Sequence, residues 1–366
     1  MAQILTYLGK GGTGRTTVAI ATAKHWARQG KRVLLASLDS GPALGLALGQ
    51  PLGTEPATLE TNFSGVQLQS TVLLQQAWEL LKQRESEYLR SPFFKNVYGE
   101  ELGILPGMDG ALAMNALREY AQSDRYDVII YDGESSSEAL RNLGSLEVTS
   151  WYVRRFKQVI LESDMGQTLL PFLPPIAAAV LQNPWQSVSS DQGSPLQEAL
   201  DLLEEGRSAL NDPARMLVYL VTTGEEGAIA TARHLWGSAQ QVGLTVGGVF
   251  LTQGITALDH INQQFNPLPL HVMPPYSGDW QPLINAIPNL AEGQAAPLPL
   301  EVDAAQSQLR VFLPGFDKKQ VKLTQYNQEV TIDAGDQRRN ILLPDGLKGR
   351  SITGAKFQDS YLIISF

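Results

Sequence analysis

Short apolar runs closed by turn or acidic residues recur along the first three quarters of the chain, at residues 4–8 (ILTYL), 32–37 (RVLLAS), 126–132 (YDVIIYD), 216–222 (MLVYLVT) and 248–252 (GVFLT). Runs of this length without polar alternation predict strands buried on both faces, as in a parallel sheet. Stretches with helical spacing separate them, at 18–28, 54–101 and 227–242; in the second, Leu73, Leu74, Ala77, Leu80 and Leu81 share one face. Alternation of this kind predicts an α/β fold with a mostly parallel, doubly wound sheet. Residues 151–211 carry no strand pattern but contain the apolar run LLPFLPPIAAAVL at 169–181, followed by Trp185. That insert reads either as a helical layer over the sheet or as an apolar binding groove.

The pattern changes near residue 290. Residues 289–300 (NLAEGQAAPLPL) lack periodicity and predict a linker, centred on 291–299. Beyond it, short alternating runs at 309–312, 320–326, 329–333, 338–342, 351–357 and 361–366 predict an antiparallel β-sandwich. The chain thus divides into residues 1–290 and 300–366, which suits a length of 366 residues and an apolar fraction of 43%.

Composition narrows the partners. With 28 basic against 37 acidic residues, the net charge of -9 argues against a nucleic-acid binder. No apolar run approaches the roughly 18 residues that span a bilayer, and no leader pattern precedes the first strand, so a cytoplasmic protein is expected. The absence of cysteine removes disulfides, thiolate zinc sites and iron–sulfur ligation. His25, His234, His260 and His271 have no metal-ligand spacing and are expected to be structural.

The candidate chemistry begins at residues 9–17, GKGGTGRTT, between the first apolar run and the first helical stretch. Strand, glycine loop and helix in that order make a phosphate cradle: the glycines let successive N–H groups point inward, and the helix N-terminus favours an anion. Against G-x-x-x-x-G-K-S/T, Gly9, Gly14 and Thr16 are in place while Arg15 occupies the lysine position. Arginine keeps the charge but changes the hydrogen-bond geometry, which predicts nucleotide binding ahead of fast hydrolysis. Asp39 and Asp132 each close an apolar run, at the sheet edge where α/β proteins bind ligands. Asp39 reads equally as a cap for the segment 44–48. Asp132 stands where a Mg²⁺-holding carboxylate belongs.

Lys10, directly after the first glycine, makes the loop resemble the deviant Walker A loop of the ParA/MinD/ArsA class of dimerising ATPases. Residues 39–49 (DSGPALGLALG) are similar to switch I of the arsenite-pump and tail-anchored-protein-targeting ATPases, matching at Asp39, Leu44 and Gly49 with Pro42 at the histidine position. Asp132, Leu140 and Arg141 match that family's switch II, with Glu134 and Glu138 among the departures, and residues 105–114 resemble a further family segment. The resemblance implies a P-loop NTPase sheet with a helical, client-binding insert. It implies a homodimer that binds MgATP across its nucleotide face and shelters a hydrophobic, tail-anchored-like client. Gly9, Lys10, Gly11, Gly12, Thr13, Gly14, Arg15, Thr16 and Thr17 would hold the phosphates, with Lys10 reaching the partner's nucleotide. Thr16 and Asp132 would hold Mg²⁺, and Asp39 would orient the attacking water. Thr252 and Gln253 would meet adenine, with Pro275 in the loop over the base.

After the linker, Leu313-Pro-Gly315 and Leu342-Leu-Pro-Asp-Gly346 resemble the α-crystallin domain of small heat-shock proteins. Two functions stand beside each other: an ATP-hydrolysing targeting factor, and a nucleotide-stabilised scaffold or holdase with little turnover, motivated by Arg15, Pro42, Thr252 and the altered switch II. A positioning ATPase of the ParA/MinD type is weaker, because the insert and last domain have no counterpart there.

Overall fold

The computed structural model describes residues 1–39, 41–88, 98–105, 107–133, 136–162, 195–253, 258–335 and 337–366. Eight strands form the main sheet: β1 (Gln3–Leu8), β2 (Val33–Ser37), β3 (Ala57–Glu60), β4 (Phe63–Gln67), β5 (Val128–Asp132), β6 (Met216–Thr223), β7 (Val246–Thr252) and β8 (Leu270–Val272). Their order is β3-β4-β2-β5-β1-β6-β7-β8, parallel throughout except for the antiparallel edge pair β3 and β4. The doubly wound, mostly parallel sheet expected from the pattern is therefore present.

Side-chain alternation splits the core into two layers. Leu5 and Tyr7 of β1, Val128 and Ile130 of β5, and Leu217, Tyr219 and Val221 of β6 pack with α1 (Arg15–Arg28) on one face. On the other face, Leu8, Val218 and Leu220 meet α5 (Ser136–Glu162) and α7 (Glu226–Gln241). Ile129, Tyr131 and Leu34 on that face meet α4 (Met108–Gln122). The short α2 (Ala43–Leu48), α3 (Ser70–Tyr88), α6 (Pro195–Asn211), α8 (Leu258–Phe265) and α9 (Gln281–Ala286) complete the helical layers.

The helical expectation for 54–101 is corrected at its start, where β3 and β4 form before α3 begins. β4 has no apolar run to reveal it: Phe63 and Val66 are its only large apolar residues, and Gly65 sits where an added Cβ would lie 2.7 Å from the Leu59 side chain. In the insert, α5 and α6 are helical as expected, while residues 169–181 and Trp185 lie outside the described residues. Glu134 does too.

The segment expected as a linker begins with a 3₁₀ turn, Leu290–Ala295, that is anchored to the sheet. Leu290 is buried, and the Tyr219 hydroxyl donates to its carbonyl at 2.9 Å. The chain then forms a sandwich of two antiparallel sheets. One holds β9 (Leu300–Asp303), β10 (Gln308–Phe312), β14 (Gly354–Gln358) and β15 (Tyr361–Ser365); the other holds β11 (Val321–Tyr326), β12 (Glu329–Ala334) and β13 (Gln337–Leu342). Leu309, Val311, Val330, Ile332 and Ile364 fill the space between them. This sandwich is docked on α7: the Trp236 ring meets Phe312 edge-on at 5.6 Å, and His234 meets Phe316 at 6.2 Å.

Candidate phosphate-binding site

The loop between β1 and α1 lies at the carboxyl ends of the central strands. Its turn requires glycine: Gly12 and Gly14 hold φ of 84° and 89°, a region that side-chain-bearing residues enter at a cost. Gly14 is the N-cap of α1 and has no side chain with which to cover the first-turn N–H groups, which a helix leaves unpaired. Gly9 is required for space, since a Cβ there would stand 2.1 Å from the Val221 carbonyl oxygen.

Four side chains brace this loop, and three were not legible as such. Ser136, at the start of α5, donates to the Gly9 carbonyl and accepts from the Gly9 N–H, each at 2.9 Å. The Thr252 hydroxyl donates to the Thr13 carbonyl at 2.7 Å, with the Thr222 carbonyl at 3.2 Å. Gln253, at φ 52°, donates from Nε2 to the Gly12 carbonyl at 3.3 Å. Thr13 itself is buried and donates to the Lys10 carbonyl at 2.8 Å. Thr252 and Gln253, read from sequence as adenine contacts, are thus placed on the phosphate loop by bonds spanning 239 and 241 residues. Pro275 lies exposed beyond β8.

Thr16 and Asp132 meet directly, the hydroxyl donating to the carboxylate at 2.8 Å. Asp132 is buried at the end of β5, and burial pushes its pKa up; the Thr16 hydroxyl and the Arg15 charge oppose that rise, while the Asp39 carboxylate adds to it. Asp39 turns its own loop, accepting the Gly41 N–H at 2.8 Å, and Gln67 ties that loop to β4 by donating to the Asp39 and Gly41 carbonyls. It does not cap α2, whose N-cap is Pro42. Lys10 pairs within its own chain, its Nζ lying 3.1 Å from Glu225 just ahead of α7. Gly11 and Gly12 are exposed at the loop's tip, and Thr17 follows Thr16 in the first turn of α1.

A hydroxyl beside a buried carboxylate is a hard-oxygen pair suited to Mg²⁺, which takes one or two protein oxygens and the rest from phosphates and water. Among the described residues no group of three or more His, Cys, Asp or Glu is built to hold a metal by itself. The donor set fits a nucleotide-borne Mg²⁺ and not a caged one.

A family model described as anion-transporting ATPase matches residues 2–270. The chain belongs to that family. A second model, described as an HSP20-like domain found in ArsA, matches residues 304–366 of this ATPase. A putative arsenical pump-driving ATPase of Chlorobaculum tepidum is 24% identical over 100% of the chain and 96% of its own length. The ATPase GET3 of Malassezia globosa is 23% identical over 67% of the chain and 70% of its own length. An ATPase ASNA1 homolog of Babesia bovis is 31% identical over 48% of the chain and 47% of its own. The ATPase therefore unites an ArsA/GET3-type domain with an HSP20-like sandwich, and no helix among its described residues is long and apolar enough to cross a membrane.

Proposed function

We propose that this chain is a cytoplasmic, homodimeric ATPase that binds MgATP and shelters or delivers proteins with an exposed hydrophobic, tail-anchored-like helix. The observation that carries the nucleotide part is the Thr16–Asp132 bond at the foot of a glycine loop that opens a helix. In this reading the N–H groups of residues 9–17 and the Arg15 guanidinium hold the phosphates. Thr16 and Asp132 would hold Mg²⁺, which when bound neutralises charge on the phosphates. Asp39 orients water, and Lys10 leaves Glu225 to reach the partner's nucleotide. The catalysis is then positioning and electrostatics, as phosphoryl transfer requires. The resemblance of residues 39–49 and of Asp132, Leu140 and Arg141 to the switches of the tail-anchored-protein-targeting ATPases supports the client part. An arsenite cargo is disfavoured because the chain has no cysteine thiol to ligate it.

The second reading, a nucleotide-stabilised scaffold or holdase, is favoured by Arg15 at the lysine position and by the Lys10–Glu225 pair. Steady-state ATP hydrolysis with and without Mg²⁺, measured beside ATP binding by calorimetry for the wild type and Arg15→Lys, separates the two. Mg²⁺-dependent turnover in the wild type supports the first. Tight binding with turnover only in Arg15→Lys supports the second, and absence of ATP binding removes both.

A further inference from the structure

The loop between β1 and α1 presents its amides because other groups hold its carbonyls. In a trans peptide the C=O of one residue and the N–H of the next point in opposite directions. A carbonyl fixed on one side of the chain therefore fixes an N–H on the other. The carbonyls of Gly9, Lys10, Gly12 and Thr13 accept from the side chains of Ser136, Thr13, Gln253 and Thr252, at 2.9, 2.8, 3.3 and 2.7 Å.

The peptide between Thr13 and Gly14 matters most, because it opens α1. Gly14 is the N-cap at φ 89°, and its N–H makes no hydrogen bond among the described residues. Glycine takes either sign of φ with similar ease, so the backbone alone does not stop this peptide from turning over and offering its oxygen to an anion. Thr252 does stop it. The residue ends β7 and is buried, at 8% exposure. Its methyl lies against Gly14, 3.6 Å from where a Cβ would stand. Its hydroxyl has one proton to give, and the two acceptors beside it are the carbonyls of Thr13 and Thr222, at 2.7 and 3.2 Å. No donor is left over for a nucleotide base.

We propose that Thr252 is a positioning residue for the phosphates: its hydroxyl holds the Thr13–Gly14 peptide with the oxygen turned away and the Gly14 N–H toward the anion before any ligand arrives. The proposal rests on the nucleotide reading of this loop. A cradle ordered in advance has less conformational freedom to lose on binding. Because the side chain serves the phosphates and not the base, ATP and a bare polyphosphate depend on it alike.

The test is calorimetric titration of the full chain with ATP and, separately, with inorganic tripolyphosphate, both with Mg²⁺, in the wild type, Thr252→Val, Thr252→Ser and Thr6→Val. Valine keeps the shape of threonine and loses the donor. Thr252→Val is expected to bind ATP and tripolyphosphate each about tenfold more weakly than the wild type, the effect of one hydrogen bond. Thr252→Ser keeps the donor and loses the methyl, so it should bind both within about twofold of the wild type even as its unfolding midpoint falls. Thr6 supplies a matched control: it is buried on β1, and its hydroxyl donates to the Tyr131 carbonyl at 3.0 Å, in a strand and not in the loop. Thr6→Val should lose stability and keep both affinities.

The proposal is overturned if Thr252→Val binds both ligands as the wild type does, or if it weakens ATP alone, which would make Thr252 a base contact. It is overturned equally if Thr252→Ser or Thr6→Val loses as much affinity as Thr252→Val, since packing or general stability would then account for the loss. A wild type that binds ATP but not tripolyphosphate overturns it and leaves the nucleotide reading standing, whereas a wild type that binds neither removes both.

Discussion

The hydroxyl of Thr16 and the carboxylate of Asp132 stand 2.8 Å apart although 116 residues separate them in the chain. One stands in the first turn of α1, the other ends β5, and the parallel pairing of β1 with β5 brings the two together. Thr16→Ala removes the donor and leaves a buried carboxylate short of a hydrogen bond, a loss of about 1–3 kcal/mol. Its unfolding midpoint should fall in metal-free buffer, and Mg²⁺-dependent ATP binding by calorimetry should weaken with it.

Asp132→Asn should act in the opposite direction on stability. Burial and the Asp39 charge raise the Asp132 pKa above its ordinary value. Such an acid holds more protons folded than unfolded between its two pKa values, so its contribution to stability falls as the pH rises through that window. The amide escapes this loss while still accepting from Thr16. In metal-free buffer at neutral pH the variant is therefore expected to unfold at higher temperature than the wild type, with the difference closing as the pH falls below 3.8. ATP with Mg²⁺ should stabilise the wild type and not the variant; a variant less stable than wild type at neutral pH would count against the buried-carboxylate account.

Lys10 and Glu225 form an exposed pair, with side chains 44% and 65% accessible. Pairs of this kind contribute about 0–1 kcal/mol, so Glu225→Gln should barely move the unfolding midpoint. If Lys10 must leave Glu225 to reach a partner's nucleotide, the substitution raises ATP turnover in a manner that depends on protein concentration. Turnover unchanged at every concentration would show that the pair does not hold the lysine back.

The five central strands of the main sheet, their parallel direction and the sandwich were legible because apolar runs bounded by Gly and Asp have few other uses. So were Gly9, Gly14 and Thr16, which a phosphate loop sets within a few residues of each other, and Asp132, which closes an apolar run. The braces were not. Ser136, Thr252 and Gln253 are ordinary polar residues locally, and their role exists only through contacts across 127, 239 and 241 positions. β3, β4, β8 and β9 were missed for a related reason: at three to five residues each, and lying at or next to sheet edges, they carry no periodicity that separates them from loops. Arg339 is the extreme case, a charged residue in an alternating strand that sequence assigns to solvent and the domain contact buries.

Gly9 leaves no room for a side chain. A Cβ would come 2.1 Å from the Val221 carbonyl and 2.9 Å from Thr13 Oγ1, and the first of these is backbone that cannot turn aside. Gly9→Ala should cost about 3 kcal/mol by overpacking and displace the loop that Ser136 and Thr13 hold. ATP binding should be lost even where far-ultraviolet circular dichroism shows the fold retained.

Gly237 tests whether the sandwich is fastened or merely tethered. A glycine within a helix is ordinarily less stable than alanine by about 1 kcal/mol, so Gly237→Ala in α7 would strengthen a free helix. Here the added methyl would stand 2.3 Å from the Pro314 carbonyl and 2.5 Å from the Phe316 ring, both in the sandwich. The close approach that glycine permits also lets Trp236 meet Phe312 and His234 meet Phe316. The clash outweighs the helix gain, and Gly237→Ala is expected to destabilise the protein by about 2 kcal/mol while leaving ATP binding intact. Limited proteolysis should then cut between residues 290 and 300 sooner than in the wild type. A more stable variant with unchanged proteolysis would mean that the sandwich swings clear of α7 in solution.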